Sequence, residues 1–260
     1  MLESDTARSY PAELLRGAVV SAMLTAFLLV AVTWALTVAL ELSALFAVKA
    51  LLLFVAAVIW FGRYLPAHRP HNRIGPANRV TLARLALTAL LGGLIGEAPA
   101  AVTLASPLIA GVVLVLDGVD GWLARRGGWT SAFGARFDME TDALAILVMA
   151  VQAWQLGKAA AWVLLSGALR YLFIAAAIAL PQLARPLPDS RRRKVVCVLQ
   201  AVVLLLVLTP WISSPWSDAV AGAGLAMLLY SFTVDTIWLW RQARPLTEES
   251  LADENDDPCP

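Results

Sequence analysis

Charged side chains are scarce in this chain of 260 residues: they make up 15% of the sequence, while 60% of the residues are hydrophobic. A water-soluble domain of this length needs far more polar surface, so the composition excludes an ordinary soluble protein and indicates a polytopic membrane protein. The formal net charge is only +1, which by itself says nothing about nucleic acid. For a membrane protein of this kind we expect no nucleic-acid partner.

Cysteine is equally rare. Cys197 lies in an apolar run and Cys259 in the acidic C-terminal segment, and this spacing matches no metal-binding or disulfide pattern. The polar N-terminal residues are followed by an apolar stretch that is too long for a signal peptide and lacks a small-residue cleavage site. We therefore expect two free thiols and a first membrane helix that is retained.

Long apolar runs are abundant and predict eight membrane-spanning helices. Each run approaches the roughly 20 residues that a helix needs to cross the hydrocarbon core. The run that ends before Glu97 and Pro99 is the shortest. The predicted spans are residues 17–39, 44–62, 81–96, 101–124, 137–156, 159–180, 195–212 and 219–240.

Basic residues are concentrated in alternate connections between the predicted spans. Positively charged loops tend to stay in the cytoplasm, so this pattern predicts that both termini and all the basic loops are cytoplasmic, in a bacterial inner membrane. The other connections hold Glu41, Glu97, Lys158 and Asp218. The basic connections are residues 63–79, 125–136, 185–194 and 241–244.

A polar, basic, proline-containing segment at residues 63–80 divides the chain. We expect a transmembrane helix pair in residues 1–62, a cytoplasmic linker or surface helix in 63–80, a six-helix core in 81–240 and an acidic cytoplasmic tail in 241–260. The predicted fold class is therefore all-α: a polytopic membrane helix bundle with a six-helix catalytic core and two extra N-terminal transmembrane helices.

Four aspartates interrupt the apolar pattern on either side of one cytoplasmic loop. Asp117 and Asp120 are three residues apart at the end of one span, and Asp138 and Asp142 are four apart at the start of the next. Each pair shares a helix face. If the two spans are antiparallel neighbours joined by this short loop, their cytoplasmic ends can bring all four carboxylates together.

Four carboxylates placed close together within membrane-spanning helices repel one another unless they are protonated or neutralised by cations. Ligands that are all oxygen suit Mg²⁺ or Mn²⁺. Two such ions could be held by two helices, an arrangement that clamps phosphoryl oxygens during displacement. Gly121 and Gly134 lie one turn from Asp117 and Asp138, and without a Cβ they leave room for a substrate.

The spacing of these residues resembles the signature of the CDP-alcohol phosphatidyltransferases. The similarity covers about residues 70–240. A looser match, formed by Pro76, Asn78, Thr81 and Arg84, is similar to the segment with which the family helps to hold its nucleotide. The residues that match the main signature are Asp117, Asp120, Gly121, Ala124, Arg125, Gly134, Asp138 and Asp142.

The resemblance implies an enzyme of phospholipid biosynthesis. Such an enzyme would move a phosphatidyl group from a CDP-linked lipid, here CDP-diacylglycerol, to a small polar alcohol and release CMP. Two ions, Mg²⁺ or Mn²⁺, would be bound by Asp117, Asp120, Asp138 and Asp142, and Asp142 would also act as the general base. A homodimer surrounded by membrane lipids is implied. The CDP portion would contact Pro76, Asn78, Thr81, Gly121, Ala124, Arg125 and Gly134.

Three basic residues are candidates for binding the acceptor. Arg170 lies inside the sixth span and needs a partner, either an acceptor phosphate or one of the aspartates. Arg193 and Lys194 precede the seventh span and either anchor the chain at the membrane surface or bind an anionic acceptor. The resemblance favours the second role, because family members with phosphorylated acceptors carry basic residues in this region.

Two other functions remain open from the sequence. The signature does not separate CDP-diacylglycerol chemistry from the transfer of a CDP-amino-alcohol group to diacylglycerol. A divalent-cation or proton transporter is a more distant alternative, because it would want carboxylates near the middle of the membrane and a second copy of the motif. The chain shows no second copy.

Overall fold

A computed structural model describes residues 12–69, 71–180, 183, 185, 188 and 190–243, so the predicted acidic tail lies almost wholly outside the described residues. The described chain is all-helical and has no strand, which confirms the predicted all-α class. Short 3₁₀ turns at Leu65–Ala67 and Ala161–Leu164 precede α3 and α6. The helices are α1 (Ala12–Leu40), α2 (Ala44–Gly62), α3 (Pro76–Gly93), α4 (Pro99–Gly127), α5 (Ala132–Gln155), α6 (Leu165–Ala179), α7 (Arg191–Leu208) and α8 (Trp216–Ala243).

Five segments of the described chain are long and apolar enough to cross a membrane. They comprise α1, α2, α4, α6 with its preceding 3₁₀ turn, and nearly all of α8. The prediction of a multi-pass membrane protein is thereby confirmed. The other three predicted spans correspond to α3, α5 and α7, which carry more charge: Arg79 and Arg84 lie in α3, three acidic residues lie in α5, and four basic residues begin α7.

Helix α3 is the central helix of the bundle. Thirteen of its 18 residues are buried, and α2, α4 and α5 all pack along it. The sequence pattern suggested that α4 and α5 are direct neighbours, but α3 lies between them and they touch each other only slightly. Helix α3 begins at Pro76, earlier than the predicted residue 81, because proline at the first helical position lacks only an N–H that has no intrahelical partner there.

The two N-terminal helices differ in how they contact the rest of the bundle. Phe46 and Phe54 of α2 are almost fully buried, and a Cβ on Gly93 of α3 would lie 2.9 Å from the Phe46 carbonyl oxygen. The two helices therefore approach each other closely. Helix α1 has only three buried residues among its 29, so most of its surface is left to contact lipid.

A buried carboxylate joins α2 to the turn before α4. Glu97 accepts hydrogen bonds from the Ser43 N–H at 2.9 Å, the Ser43 hydroxyl at 2.7 Å and Lys49 Nζ at 2.8 Å. Burial alone would raise the pKa of Glu97, but the bonds from Lys49 and Ser43 outweigh it and hold the pKa below its ordinary value. This contact lies at the end of the bundle opposite the four aspartates.

The loop between α4 and α5 has defined caps at both helix ends. Gly128 ends α4 in the left-handed conformation, with φ of 66°, which glycine adopts without a steric penalty. Ser131 begins α5 as its N-cap, and its Oγ accepts a hydrogen bond from the Gly134 N–H at 3.0 Å. The loop therefore fixes where the second pair of aspartates starts.

Candidate active site

A single arginine joins the four aspartates. Arg84 of α3 places Nη1 2.6 Å from both Asp120 Oδ2 and Asp138 Oδ1. Its Nη2 lies 2.6 Å from Asp117 Oδ1 and also contacts Asp142 Oδ1. The position of α3 between α4 and α5 makes this possible. The sequence predicted that the carboxylates converge, but it placed Arg84 in the segment likened to the family's nucleotide-holding segment and not among the aspartates.

The Arg84 side chain is buried, with a relative exposure of only 1%. A buried guanidinium requires anionic partners, and this one has four carboxylates around it. The carboxylates outnumber the arginine, so the cluster carries excess negative charge when all four are ionised. A signal for Arg84 existed in the sequence: an arginine inside an apolar helix, one turn beyond Thr81 on the same face.

The aspartate cluster is suited to a divalent cation. Asp117, Asp120 and Asp138 each offer a carboxylate oxygen, and these oxygens all lie within 4.8 Å of one another. Hard oxygen donors are the ligands that Mg²⁺ and Mn²⁺ prefer, and a cation here would offset the excess negative charge. Asp142 is outside this group of three but shares the same guanidinium.

The first turns of α3 form the side of the site next to Asp120. The Thr81 hydroxyl lies 2.9 Å from Asp120 Oδ2. Asn78 is buried, and its Nδ2 has no hydrogen-bond partner among the described residues. A buried amide without a partner is costly, so this donor is well placed for a ligand. Pro76, at the start of the helix, is exposed.

The two glycines of the signature have different surroundings. A Cβ on Gly134 would lie 2.9 Å from Asn78 Oδ1, so the absence of a side chain lets α5 approach α3 at this point. A Cβ on Gly121 would meet only the flexible end of Arg125, at 3.2 Å. Ala124 is partly buried and Arg125 is exposed. The space beside Gly121 could therefore open to a substrate, whereas Asn78 occupies the space beside Gly134.

A cavity of about 270 Å³ extends from the aspartates between α4, α5 and α7. Asp117, Asp142 and Arg84 form its polar end. The remaining wall is almost entirely apolar. It is formed by Val113, Leu114, Val115, Ala145, Ile146, Met149, Cys197, Val198, Ala201 and Val202.

Of the two partners that the sequence left open for Arg170, an acceptor phosphate or an aspartate of the cluster, the described residues do not show the second. Arg170 pairs with Glu140, with Nη2 2.6 Å from Oε1 and Nε 3.2 Å from Oε2. Glu140 is buried and lies two residues from both Asp138 and Asp142, which puts it on the other side of α5. The spacing of the aspartates gives no sign of this pair, because Glu140 lies outside the face of α5 that the aspartates share.

The two other basic candidates lie at the start of α7. Arg193 contacts the Pro188 carbonyl oxygen and lies 3.5 Å from Asp235, which also pairs with Arg192. Lys194 is exposed. The described structure therefore gives Arg170 and Arg193 carboxylate partners from the chain itself, and Lys194 is left facing outward.

Carboxylates gathered where they could hold divalent ions are typical of enzymes that act on phosphoryl groups. The family model for CDP-alcohol phosphatidyltransferase matches residues 74–238, more than half of the chain. The protein belongs to this family of CDP-alcohol transferases, which are typically metal-dependent. No curated protein and no solved structure gave a match.

Proposed function

We propose that the protein transfers a phosphatidyl group from CDP-diacylglycerol to the hydroxyl group of a small polar alcohol and releases CMP. The observation that carries this proposal is the cavity that joins Asp117 and Asp142 to an apolar wall between α4, α5 and α7. A CDP-linked lipid needs this combination, because its diphosphate requires a polar site while its acyl chains are favourable only in apolar surroundings.

The nucleotide half of the donor would bind at the cytoplasmic ends of α3, α4 and α5. Asn78 would donate its free amide hydrogens, while Thr81 holds Asp120 in place. Pro76, Ala124, Arg125 and the open side of Gly121 would surround the cytidine and ribose, and Gly134 would allow α5 to approach Asn78.

Asp117, Asp120, Asp138 and Asp142 would hold two divalent ions, Mg²⁺ or Mn²⁺. The chemistry that such ions supply is neutralisation of the diphosphate charge as the bond to CMP breaks. Arg84 fixes the four carboxylates before the substrate arrives, so little reorganisation remains at the moment of reaction.

Asp142 would act as the general base. It lines the cavity and could accept the proton from the acceptor hydroxyl as the new oxygen–phosphorus bond forms. The bond between the phosphatidyl phosphorus and the CMP oxygen then breaks, and CMP leaves with that oxygen. The proton remains on the Asp142 carboxylate until it passes to solvent.

Binding of an anionic acceptor by Lys194, assisted by Arg193 and Arg170, remains part of the proposal. Arg170 and Arg193 would do so while keeping their carboxylate partners Glu140 and Asp235. An active site on the cytoplasmic side of a bacterial inner membrane and a homodimeric assembly also belong to the proposal.

The decisive experiment incubates purified full-length protein with CDP-diacylglycerol, Mg²⁺ or Mn²⁺ and a panel of alcohols that includes glycerol 3-phosphate and inositol phosphate. We expect CMP release together with a new phospholipid, detected by mass spectrometry, and loss of both products with a chelator. CMP release without a new lipid would indicate hydrolysis and contradict the proposal.

Transfer of a CDP-amino-alcohol group to diacylglycerol is the alternative, because the apolar cavity would accept diacylglycerol equally well. The two chemistries are distinguished by supplying radiolabelled CDP-diacylglycerol or CDP-choline in parallel. Incorporation of label from CDP-choline into lipid would favour the alternative. A liposome flux assay without lipid substrate tests the cation- or proton-transporter hypothesis.

A further inference from the structure

The last residues of α2 and the linker that follows them lie along the first turns of α5. The match begins at residue 74, and the contacts come from residues 61–69 and 71–73, which we call the linker strap. As the residue number rises along the linker strap, the number of the residue it contacts in α5 or the preceding loop falls. The ring pairs are Phe61 with Phe137 at 5.5 Å, His68 with Phe133 at 5.5 Å and His71 with Trp129 at 5.1 Å, and Arg136 lies 4.1 Å from the Tyr64 ring.

His68 is the most fully bonded polar residue of the linker strap. Its side chain is buried, Nε2 lies 3.0 Å from the Arg73 carbonyl oxygen, and Nδ1 lies 2.8 Å from Ser131 Oγ. A carbonyl oxygen only accepts hydrogen bonds, so Nε2 must carry the hydrogen when His68 is neutral. Nδ1 is then an acceptor, and the Ser131 hydroxyl donates to it.

This bond orients the N-cap of α5. With its hydrogen directed at His68, the Ser131 hydroxyl turns a lone pair toward the Gly134 N–H, 3.0 Å away. Gly134 in turn packs against Asn78 of α3. One turn further along α5, Asp138 meets Arg84. A continuous set of contacts therefore runs from the linker strap to the aspartate cluster.

We propose that His68 is a positioning residue: through Ser131 it fixes the first turn of α5 and thereby holds Asp138 within the aspartate cluster. The linker strap and the α2 helix that continues into it would then contribute to the reaction site, although both lie outside the matched family region. The catalytic consequence of this inference rests on the proposed function.

The variants His68→Asn and His68→Gln each remove one of the two hydrogen bonds of the His68 imidazole and keep the other. The carboxamide of asparagine reaches the place of Nδ1 and that of glutamine the place of Nε2, and each offers both donor and acceptor atoms. His68→Asn therefore keeps a partner for Ser131 and loses the bond to Arg73, whereas His68→Gln does the reverse. Ser131→Ala removes the cap itself, and Arg69→Ala changes an exposed residue of the same linker strap.

The first measurement is hydrogen exchange of residues 132–138 in the full-length protein. The second is binding of Mn²⁺ alone, followed by the electron paramagnetic resonance signal of the free ion. We expect His68→Gln and Ser131→Ala to increase exchange in this turn and to raise the half-saturating Mn²⁺ concentration about fivefold, the size expected for loss of a helix N-cap. His68→Asn and Arg69→Ala should match the unaltered protein in both measurements.

Equal behaviour of His68→Asn and His68→Gln in the exchange measurement would overturn the proposal, since a residue that only fills space does not distinguish the two bonds. Unchanged Mn²⁺ binding in His68→Gln, with increased exchange, would also overturn it. If the unaltered protein binds no Mn²⁺ and releases no CMP, the proposed function fails, and the exchange comparison alone then decides whether His68 fixes the first turn of α5.

Discussion

Asp142 and Arg84 carry opposite charges and pair within the same cluster. Arg84 stabilises the carboxylates as anions, which suits cation binding and keeps Asp142 ready to accept a proton. The arginine is fixed by four partners, so its loss affects the whole cluster, whereas the loss of one carboxylate leaves the other three in place.

Asp142→Asn should abolish the proton transfer without unfolding the protein, because asparagine has nearly the same shape. We expect CMP release to fall about 10²- to 10⁴-fold, the usual contribution of a general base. The measurement is CMP release at saturating CDP-diacylglycerol. Asp218→Asn, which changes an aspartate near the start of α8, is the matched control and should keep normal turnover. Normal turnover in Asp142→Asn would contradict the role of the base.

Arg84→Ala should destabilise the protein strongly. Removing one partner of a buried ion pair costs about 3–5 kcal/mol, and here several carboxylates lose their cation at once. The measurement is the thermal unfolding midpoint in detergent. Arg73→Ala is a suitable control, because Arg73 pairs with Glu13 at 3.4 Å on the surface, where ion pairs contribute little. Equal midpoints for the two variants would contradict the central role of Arg84.

At the scale of helices, close backbone contacts determine how α5 packs on α6. A Cβ on Gly167 of α6 would lie 2.3 Å from Leu147 Cα of α5, and backbone cannot move aside as a flexible side chain can. Gly111 of α4 has nothing within 4 Å of its Cβ position. Gly167 therefore has no room for a side chain, whereas Gly111 does, although both lie within apolar helices.

Gly167→Ala should force α6 away from α5 and lower the unfolding midpoint, because overpacking typically costs about 1–3 kcal/mol. Gly111→Ala should leave the midpoint unchanged or raise it slightly, since alanine favours a helix interior by roughly 0.5–1 kcal/mol over glycine. Thermal unfolding of the two variants side by side is the measurement. A higher midpoint for Gly167→Ala than for Gly111→Ala would show that α5 and α6 are not held this closely.

The helices themselves were largely predictable from sequence, and their neighbours were not. Hydropathy located α1 and α2 to within a few residues because nearly every residue in them faces lipid or core. It placed the start of α3 too late, because the polar residues Asn78 and Arg79 lie in its first turn and lower the hydropathy there. That α3 lies between α4 and α5 could not be read from periodicity, which gives faces but not partners.

Some features of the site were predictable from the sequence and others were not. The spacing of Asp117, Asp120, Asp138 and Asp142 implied that they converge, and three of them lie within reach of one ion. The contacts of Arg84 with the aspartates and the pair of Glu140 with Arg170 were not foreseen, because each depends on a neighbour from another helix. Glu140 is two residues from Asp138 and therefore lies on the opposite face of α5, and it is not part of the family signature.

For the whole molecule, stability should depend on pH through His68. Burial lowers its pKa below 6.5, more than the bond to the Arg73 carbonyl raises it, and nearby His71 lowers it further. The unfolded chain therefore binds more protons than the folded one as the pH falls below 6.5, and the free energy of unfolding decreases. Unfolding midpoints between pH 7.5 and 5 should show a smaller decrease in His68→Asn. An identical decrease would show that His68 is not the titrating group.

The orientation in the membrane is also testable. We expect both termini in the cytoplasm, so a fluorescent protein fused after Pro260 should fluoresce and a periplasmic phosphatase fused there should be inactive. A single cysteine at Glu41, in the turn between α1 and α2, should react with an impermeant maleimide added to intact cells after Cys197 and Cys259 are replaced by serine. Labelling only after lysis would contradict the proposed orientation.

The central position of α3 has a consequence for the order of synthesis. The ribosome completes α3 before any of the four aspartates exists, so Arg84 reaches the membrane without its partners. An arginine at the middle of an isolated membrane helix costs roughly 2.5–3.5 kcal/mol, so newly made α3 should not move freely into lipid. It should wait beside α2 at the insertion machinery until α4 and α5 emerge, and the enzyme would then assemble its site in the same event that completes its insertion.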